Sequence, residues 1–253
     1  MISQRLIVGL QIYKSKLIKT EQFKKSNSTY LGDVLNAVRI FNEKKVDELI
    51  IYDLTASKTK EIDFLLLEKI SRLSRMPLCY GGGIDSIGKA KKLSSLGFEK
   101  LSFNSLLYDD LNKINQISKI IGRQSIVLSV DYKKIDDEYF CFKNSGTINT
   151  EVKIDNLHNY NYEDFAGEII LNDINNDGSM KGYNSEVINK IYKNFKIPLT
   201  LSGGFKNLED IKKIFNKFDI IGVCCSSYFF FKGTNKAVLL NYPDTKKIEN
   251  VKR

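Results

Sequence analysis

The chain has 253 residues, 42% of them hydrophobic and 27% charged. That is enough apolar material for one large domain or two small ones, and it excludes a disordered, collagen-like or coiled-coil chain. Lys and Arg total 39 against 30 Asp and Glu, and the net charge of +9 suits an anionic substrate or an acidic partner. Much of the excess, as in Lys89–Lys92 (KAKK) and Lys212-Lys213, falls on helix-like segments as a solvated face, so nucleic acid is not an expected partner. Cys79, Cys141, Cys224 and Cys225 lie in apolar stretches without C-x-x-C spacing, and His158 is the single histidine. Neither a zinc site nor a histidine-based nucleophile device is expected, no cofactor is implied, and any chemistry rests on carboxylates. The longest uncharged apolar-leaning run, Ile220 to Phe231, falls short of the roughly 18 residues a membrane helix needs. With no signal-peptide architecture and no disulfide pattern, the expectation is a cytoplasmic protein that does not engage a membrane.

In chain order, a strand over Leu6 to Gln11 precedes a helix over Leu31 to Lys44, and a strand over Glu48 to Asp53 precedes a helix over Phe64 to Leu73. The same alternation continues with strand Leu78 to Tyr80 and helix Ser86 to Leu96, then strand Lys100 to Phe103 and helix Leu111 to Ile121. After strand Ser125 to Asp131 comes a β-hairpin, in which Glu138 to Lys143 leads into the turn-forming Asn144-Ser-Gly146. Strand Glu168 to Asn172, helix Glu186 to Phe195, strand Leu199 to Leu201, helix Leu208 to Phe218 and strand Ile220 to Cys224 complete the pattern. Eight strands alternating with helices in about 250 residues give a parallel (β/α)₈ barrel, one domain over residues 1–253. A doubly wound sheet is the runner-up, but no G-x-G-x-x-G follows the first strand.

An internal repeat divides this pattern. Pro77–Ile87 (PLCYGGGIDSI) reads against Pro198–Leu208 (PLTLSGGFKNL) at an offset of 121 residues. Glu48–Asp53 (ELIIYD) reads against Glu168–Asp173 (EIILND), and Gln11 against Asp131, both at an offset of 120. These registered matches imply two half-barrels, about 1–122 and 123–253.

Glycine weakens a strand and marks sharp turns or close approach to a ligand. After strands three and seven of a barrel, glycine falls on the C-terminal face, where backbone N–H groups can hold an anion. Gly82 and Gly83, with Asn104 and Ser105, are one candidate phosphate site. Gly203 and Gly204, with Asp177, Gly178, Ser226 and Ser227, are the other. Two such sites imply a substrate with a phosphate at each end. Asp131, closing strand five, stands where a barrel enzyme places a general acid or base. Its repeat partner Gln11 is an amide, which neither gives up nor takes a proton near neutral pH. Asp53 and Asp177 share this face, Asp177 equally as a turn former.

Taken in order and at these spacings, Arg5-Leu-Ile, Asp53-Leu-Thr-Ala-Ser57, Gly81-Gly-Gly-Ile84, Lys100-Leu-Ser-Phe-Asn104, Val130-Asp131, Asp177-Gly-Ser and Ser202-Gly-Gly204 resemble the cyclase subunit of imidazole glycerol phosphate synthase over essentially the whole chain. The resemblance implies a separate glutaminase subunit on the N-terminal face, with ammonia passing up the barrel to a phosphorylated substrate at the C-terminal face. It implies an ammonia gate at Arg5, Glu48, Lys100 and Glu168, and a glutaminase-facing acidic residue at Glu99. The departures lie on the substrate face: Gln11 replaces the family's first catalytic carboxylate while Asp131 keeps the second, and the loop Lys19 to Val34 is altered and slightly longer. This resembles a paralogous branch found with surface-polysaccharide and flagellin-glycan genes, whose members pass ammonia to a sugar amidotransferase. The main expectation is therefore an ammonia-conducting subunit serving amidination of a sugar. The alternatives are a genuine cyclase working with Asp131 alone, and a non-catalytic scaffold that activates a glutaminase.

Overall fold

Apolar runs four to ten residues long become the strands of a closed barrel in the computed structural model, which describes residues 4–218, 222–233 and 235–252. These strands are β1 Arg5–Tyr13, β2 Glu48–Asp53, β3 Leu78–Gly81, β4 Lys100–Phe103, β5 Ile126–Ile135, β6 Glu168–Asp173, β7 Leu199–Ser202 and β8 Gly222–Cys225. Each pairs in parallel with the next, and β8 returns to β1 with Arg5 opposite Gly222, which leaves no barrel edge unpaired. The fold is the expected (β/α)₈ barrel. The first two residues of the strand expected over Ile220 to Cys224 lie outside the described residues.

Helices α1 Val34–Glu43, α2 Phe64–Leu73, α3 Ile87–Ser95, α4 Leu111–Ile121, α5 Ser185–Ile191 and α6 Leu208–Lys217 pack around the strands. Each starts at a side chain that accepts from a first-turn N–H: Asp33, Asp63, Ser86, Asp110, Asn184 and Asn207. Such caps contribute about 1 kcal/mol apiece. In α1, Val34, Ala37, Val38 and Phe41 repeat at helical spacing and form the buried stripe.

Period-two alternation separates two cores. Leu6, Val8, Leu10 and Ile12 of β1 face outward into the large layer between sheet and helices. Ile7 faces inward and meets Ile50, Cys79, Val127, Ile170 and Cys224 in a separate cluster that fills the barrel interior.

Two hairpins rise from the C-terminal face. The one after β5 was expected: strand Glu138–Lys143 pairs with β5, placing Phe142 opposite Asp131, and then with strand Ile148–Lys153. The other, Lys16–Glu21 with Lys24–Gly32, occupies the segment read from sequence as an altered loop, and its first strand pairs back on β1 with Ile18 opposite Gln11. No helix among the described residues is long and apolar enough to cross a membrane.

Candidate functional site

At the N-terminal end, Arg5, Glu48, Lys100 and Glu168 begin or adjoin the starts of β1, β2, β4 and β6 and converge inside the barrel. Arg5 pairs with Glu48 and, at 2.7 Å, with Glu168; Lys100 Nζ lies 2.9 Å from both carboxylates. The result is a closed ring of alternating charge. Both carboxylates are at least 95% buried, whereas the Arg5 and Lys100 side chains keep 17% and 20% of their exposure, so it is the cations that reach solvent. Burial raises the Glu48 pKa despite its two cations. Burial acts on Glu168 as well, but Arg5, Lys100 and the Thr200 hydroxyl, which donates at 2.5 Å, together hold it below its ordinary value. Glu99, adjacent to Lys100, is exposed at the same end.

Because inward residues recur every second position, the column above Glu48 is Ile50 then Tyr52, and the column above Glu168 is Ile170 then Asn172. Above Arg5 come Ile7, Gly9 and Gln11. The charged ring is thus capped by the interior apolar cluster, and polar groups resume at the C-terminal mouth.

At the mouth, Asp131 is 6% exposed and stands opposite Asn172 in the β5–β6 register. Burial pushes its carboxyl up to about 7, against the hydrogen bonds donated by Asn172 Nδ2 at 3.2 Å and Ser129 Oγ at 3.4 Å. A carboxyl that exchanges its proton near neutrality is suited to general acid–base work. Gln11, also buried, uses its Oε1 to accept from Thr20 N at 2.8 Å and Thr20 Oγ1 at 3.1 Å. The neighbouring Lys19, 3% exposed, places Nζ 2.9 and 2.8 Å from the two oxygens of Asp177. The first hairpin is thereby latched down across the mouth at Gln11 and at Asp177. Lys19 was not singled out from sequence, since its partner lies 158 residues away. Asn172 and Tyr52 could have been found by counting alternate positions up from Glu168 and Glu48.

The glycines serve packing as well as openness. At Gly82 (φ +143°) an added Cβ would stand 2.6 Å from Asp53 O, and at Gly203 (φ +100°) 2.6 Å from Asp173 O. In the second half, Asp177, Gly178, Gly203, Gly204, Ser226 and Ser227 line one small cavity. Ser227 Oγ is buried there without a partner, while Ser226 Oγ donates to Gly9 O at 2.7 Å. In the first half, Asn104 Nδ2 donates to Ser129 O and Phe142 O, and the Ser105 hydroxyl bonds Asn144, so both side chains tie down the second hairpin. The two sets of candidate phosphate ligands are therefore unequally free to meet an anion. His158 is exposed, with Nδ1 2.7 Å from Asp155 O, away from these groups.

A model of the family described as histidine biosynthesis protein matches residues 5–235. The chain belongs to this family, with the HisF-type imidazole glycerol phosphate synthase subunits. It is 31% identical over 251 residues to imidazole glycerol phosphate synthase subunit HisF of Natranaerobius thermophilus, covering 98% of this chain and 99% of the relative. It is 42% identical over 247 residues, 96% of each chain, to a Leptospira borgpetersenii protein provisionally named as the same subunit. A Pseudomonas aeruginosa protein provisionally named as the subunit hisF2 is 36% identical over 251 residues, 98% of this chain and 99% of that one.

Proposed function

We propose that the chain is the synthase-type subunit of a glutamine amidotransferase complex. A glutaminase docks on the N-terminal face beside Glu99, ammonia enters through the ring of Arg5, Glu48, Lys100 and Glu168, and it meets its acceptor at the mouth near Asp131. The observation that carries this reading is the stacking of a closed ionic ring beneath an apolar interior that leads to a buried carboxyl. Family relatives that match along their whole length support imidazole glycerol phosphate as the product, which favours the cyclase alternative over ammonia transfer to a sugar.

One observation favours the second reading, delivery to a separate sugar amidotransferase on the C-terminal face. Gln11 offers no proton and is already committed to Thr20. The discriminating experiment supplies the chain and its glutaminase with the phosphoribulosyl substrate of the cyclase. Turnover near that of a two-carboxylate enzyme supports the cyclase. Turnover lower by about 10²- to 10⁴-fold, the usual contribution of one acid–base group, supports delivery elsewhere. Under the cyclase reading, Gln11→Asp is expected to raise turnover by about 10²-fold or more. No rise would show that the latched hairpin has remodelled the mouth.

The phosphate sites are part of the same proposal. Crystals grown in millimolar phosphate are expected to show an anion at Gly203, Gly204 and Ser227 ahead of Gly82 and Gly83, because Asn104 and Ser105 are already bonded. An anion at neither place would reduce both sets to turn glycines.

A further inference from the structure

After β8 the chain builds only short elements. Helices α1 to α6 run from seven to eleven residues, whereas this stretch holds a four-residue helix Ser227–Phe230, a hairpin of Phe231–Lys232 with Ala237–Val238, and a five-residue helix Thr245–Glu249. Between it and the end of α1 lies a cavity of about 510 Å³, whose lining includes Lys44, Lys45, Tyr228, Asn241, Tyr242 and Lys247. Small-molecule sites occupy about 300–1,000 Å³, so the space is of ligand size.

The wall of this cavity is aromatic and fixed. Tyr242 is 3% exposed; its hydroxyl donates to Leu6 O at 3.1 Å, and its ring centroid lies 6.5 Å from that of Phe41 and 5.0 Å from that of Phe229. Tyr228 is half-buried, with its ring edge-on to Phe229 at 5.3 Å, and its hydroxyl has no hydrogen-bond partner among the described residues. The rim is cationic. Lys44 and Lys45 are exposed and pair with no acid among the described residues. Lys247 Nζ lies 3.6 Å from Asp244, which also accepts from the Lys247 N–H at 2.9 Å. With Asp244 so matched, Glu43 is the acid in the lining that opposes Lys44 and Lys45, which leaves one positive charge in excess. Asn241 is held by its backbone N–H, which donates to Phe229 O at 2.8 Å, while its side-chain amide is free among the described residues.

We propose that this cavity binds a nucleoside monophosphate, its base against the Tyr228 ring and its phosphate on Lys44 and Lys45. An aromatic face accepts any base by stacking. Two ammonium groups hold phosphate oxygens through charge-assisted hydrogen bonds. The free amide of Asn241 both donates and accepts, as the edge of a base requires. A phosphate without a ring leaves Tyr228 uncovered, and a ring without a phosphate leaves the two lysines unmatched. The site is separate from the chemistry at the mouth and does not depend on it.

The test uses the whole chain labelled with ¹⁵N-asparagine and titrated in parallel with adenosine 5′-monophosphate and ribose 5-phosphate. Tyr228 also lines the cavity around Gly203 and Gly204, so the readout is the Asn241 side-chain amide, which lines this cavity and not that one. The Asn241 signals are expected to move saturably with the nucleotide, and ribose 5-phosphate is expected to need about fivefold more for half-saturation, because it forgoes one stacking contact. The double variant Lys44→Gln/Lys45→Gln is expected to raise the half-saturating nucleotide concentration at least about tenfold. Lys91→Gln/Lys119→Gln removes the same charge from exposed positions on α3 and α4 and is expected to leave it unchanged. Absence of saturation at millimolar nucleotide, or equal effects of the two double variants, would overturn the site. Equal half-saturation by nucleotide and ribose 5-phosphate would overturn the stacking on Tyr228 and with it the class of ligand.

Discussion

Lys100→Ala is expected to leave the barrel folded and bound to its glutaminase while uncoupling glutamine hydrolysis from nitrogen delivery. In the intact ring each carboxylate is held by both cations, and under the proposed conduit reading a neutral molecule passes only when one arm swings aside. Lys100 has the longest unbranched stem of the four and one-fifth of its side chain faces solvent, so the proposal assigns it as the arm that moves. Removing one partner of a buried ion pair costs about 3–5 kcal/mol in a dry interior. The cost here is smaller, because Arg5 remains paired with both carboxylates and Thr200 still donates to Glu168. The measurement is aminated product per glutamine hydrolysed, together with ammonia released to bulk solvent. Lys100→Met, which keeps the stem without the charge, separates the two contributions: retained coupling assigns gating to the stem, and lost coupling assigns it to the charge. If the alanine variant delivers nitrogen in the parental ratio, the four charges are strand-end ion pairs and the conduit is excluded.

Asp131→Asn is expected to abolish any acid–base chemistry at the mouth and, at the same time, to stabilise the fold above neutral pH. The sign follows from proton counts. In the unfolded chain this carboxyl ionises near 3.8, whereas in the folded chain burial holds it protonated up to about 7. Between these values the folded state binds more protons than the unfolded one, so the group's contribution to stability falls as pH rises through that window. Above 7 the full penalty stands, on the order of a few kcal/mol for a shift of this size. Asparagine removes the penalty. The difference in Tm between variant and parent should therefore grow from pH 4 to pH 7 and stay level to pH 9. A difference independent of pH would mean that Asp131 is ionised throughout.

Strand and helix positions were legible because burial on both faces writes apolar runs such as ELIIYD and EIILND, and because each of the six helices starts at an Asp, Asn or Ser. The first hairpin was not legible. Its tight turns use Lys14-Ser15 and Gln22-Phe23, all with φ between 49° and 61°, where a sequence reading looks for Asn-Gly or Asp-Gly. Helix α5 ends at Ile191, short of the expected Phe195, with a 3₁₀ turn over Tyr192–Asn194. At the mouth, residue types were legible but their commitments were not. Asn104 and Ser105 are engaged by a hairpin whose contacts reach across tens of residues, and Lys19 finds Asp177 from the far side of the barrel.

The matched glycine geometry in the two halves bears on how such a barrel changes its substrate over evolutionary time. Gly82 abuts the carbonyl of Asp53 and Gly203 that of Asp173 at the same 2.6 Å, so any side chain at either position collides with backbone whether or not an anion is bound. Loop closure alone keeps selection on these glycines. The hydroxyl and amide side chains around them carry no such constraint from backbone collision. Ser227, whose hydroxyl has no partner, can therefore be rewritten at little structural cost when one ligand is exchanged for another, whereas changing Asn104, Ser105 or Ser226 gives up hydrogen bonds to the second hairpin or to Gly9 while the glycine skeleton stays fixed.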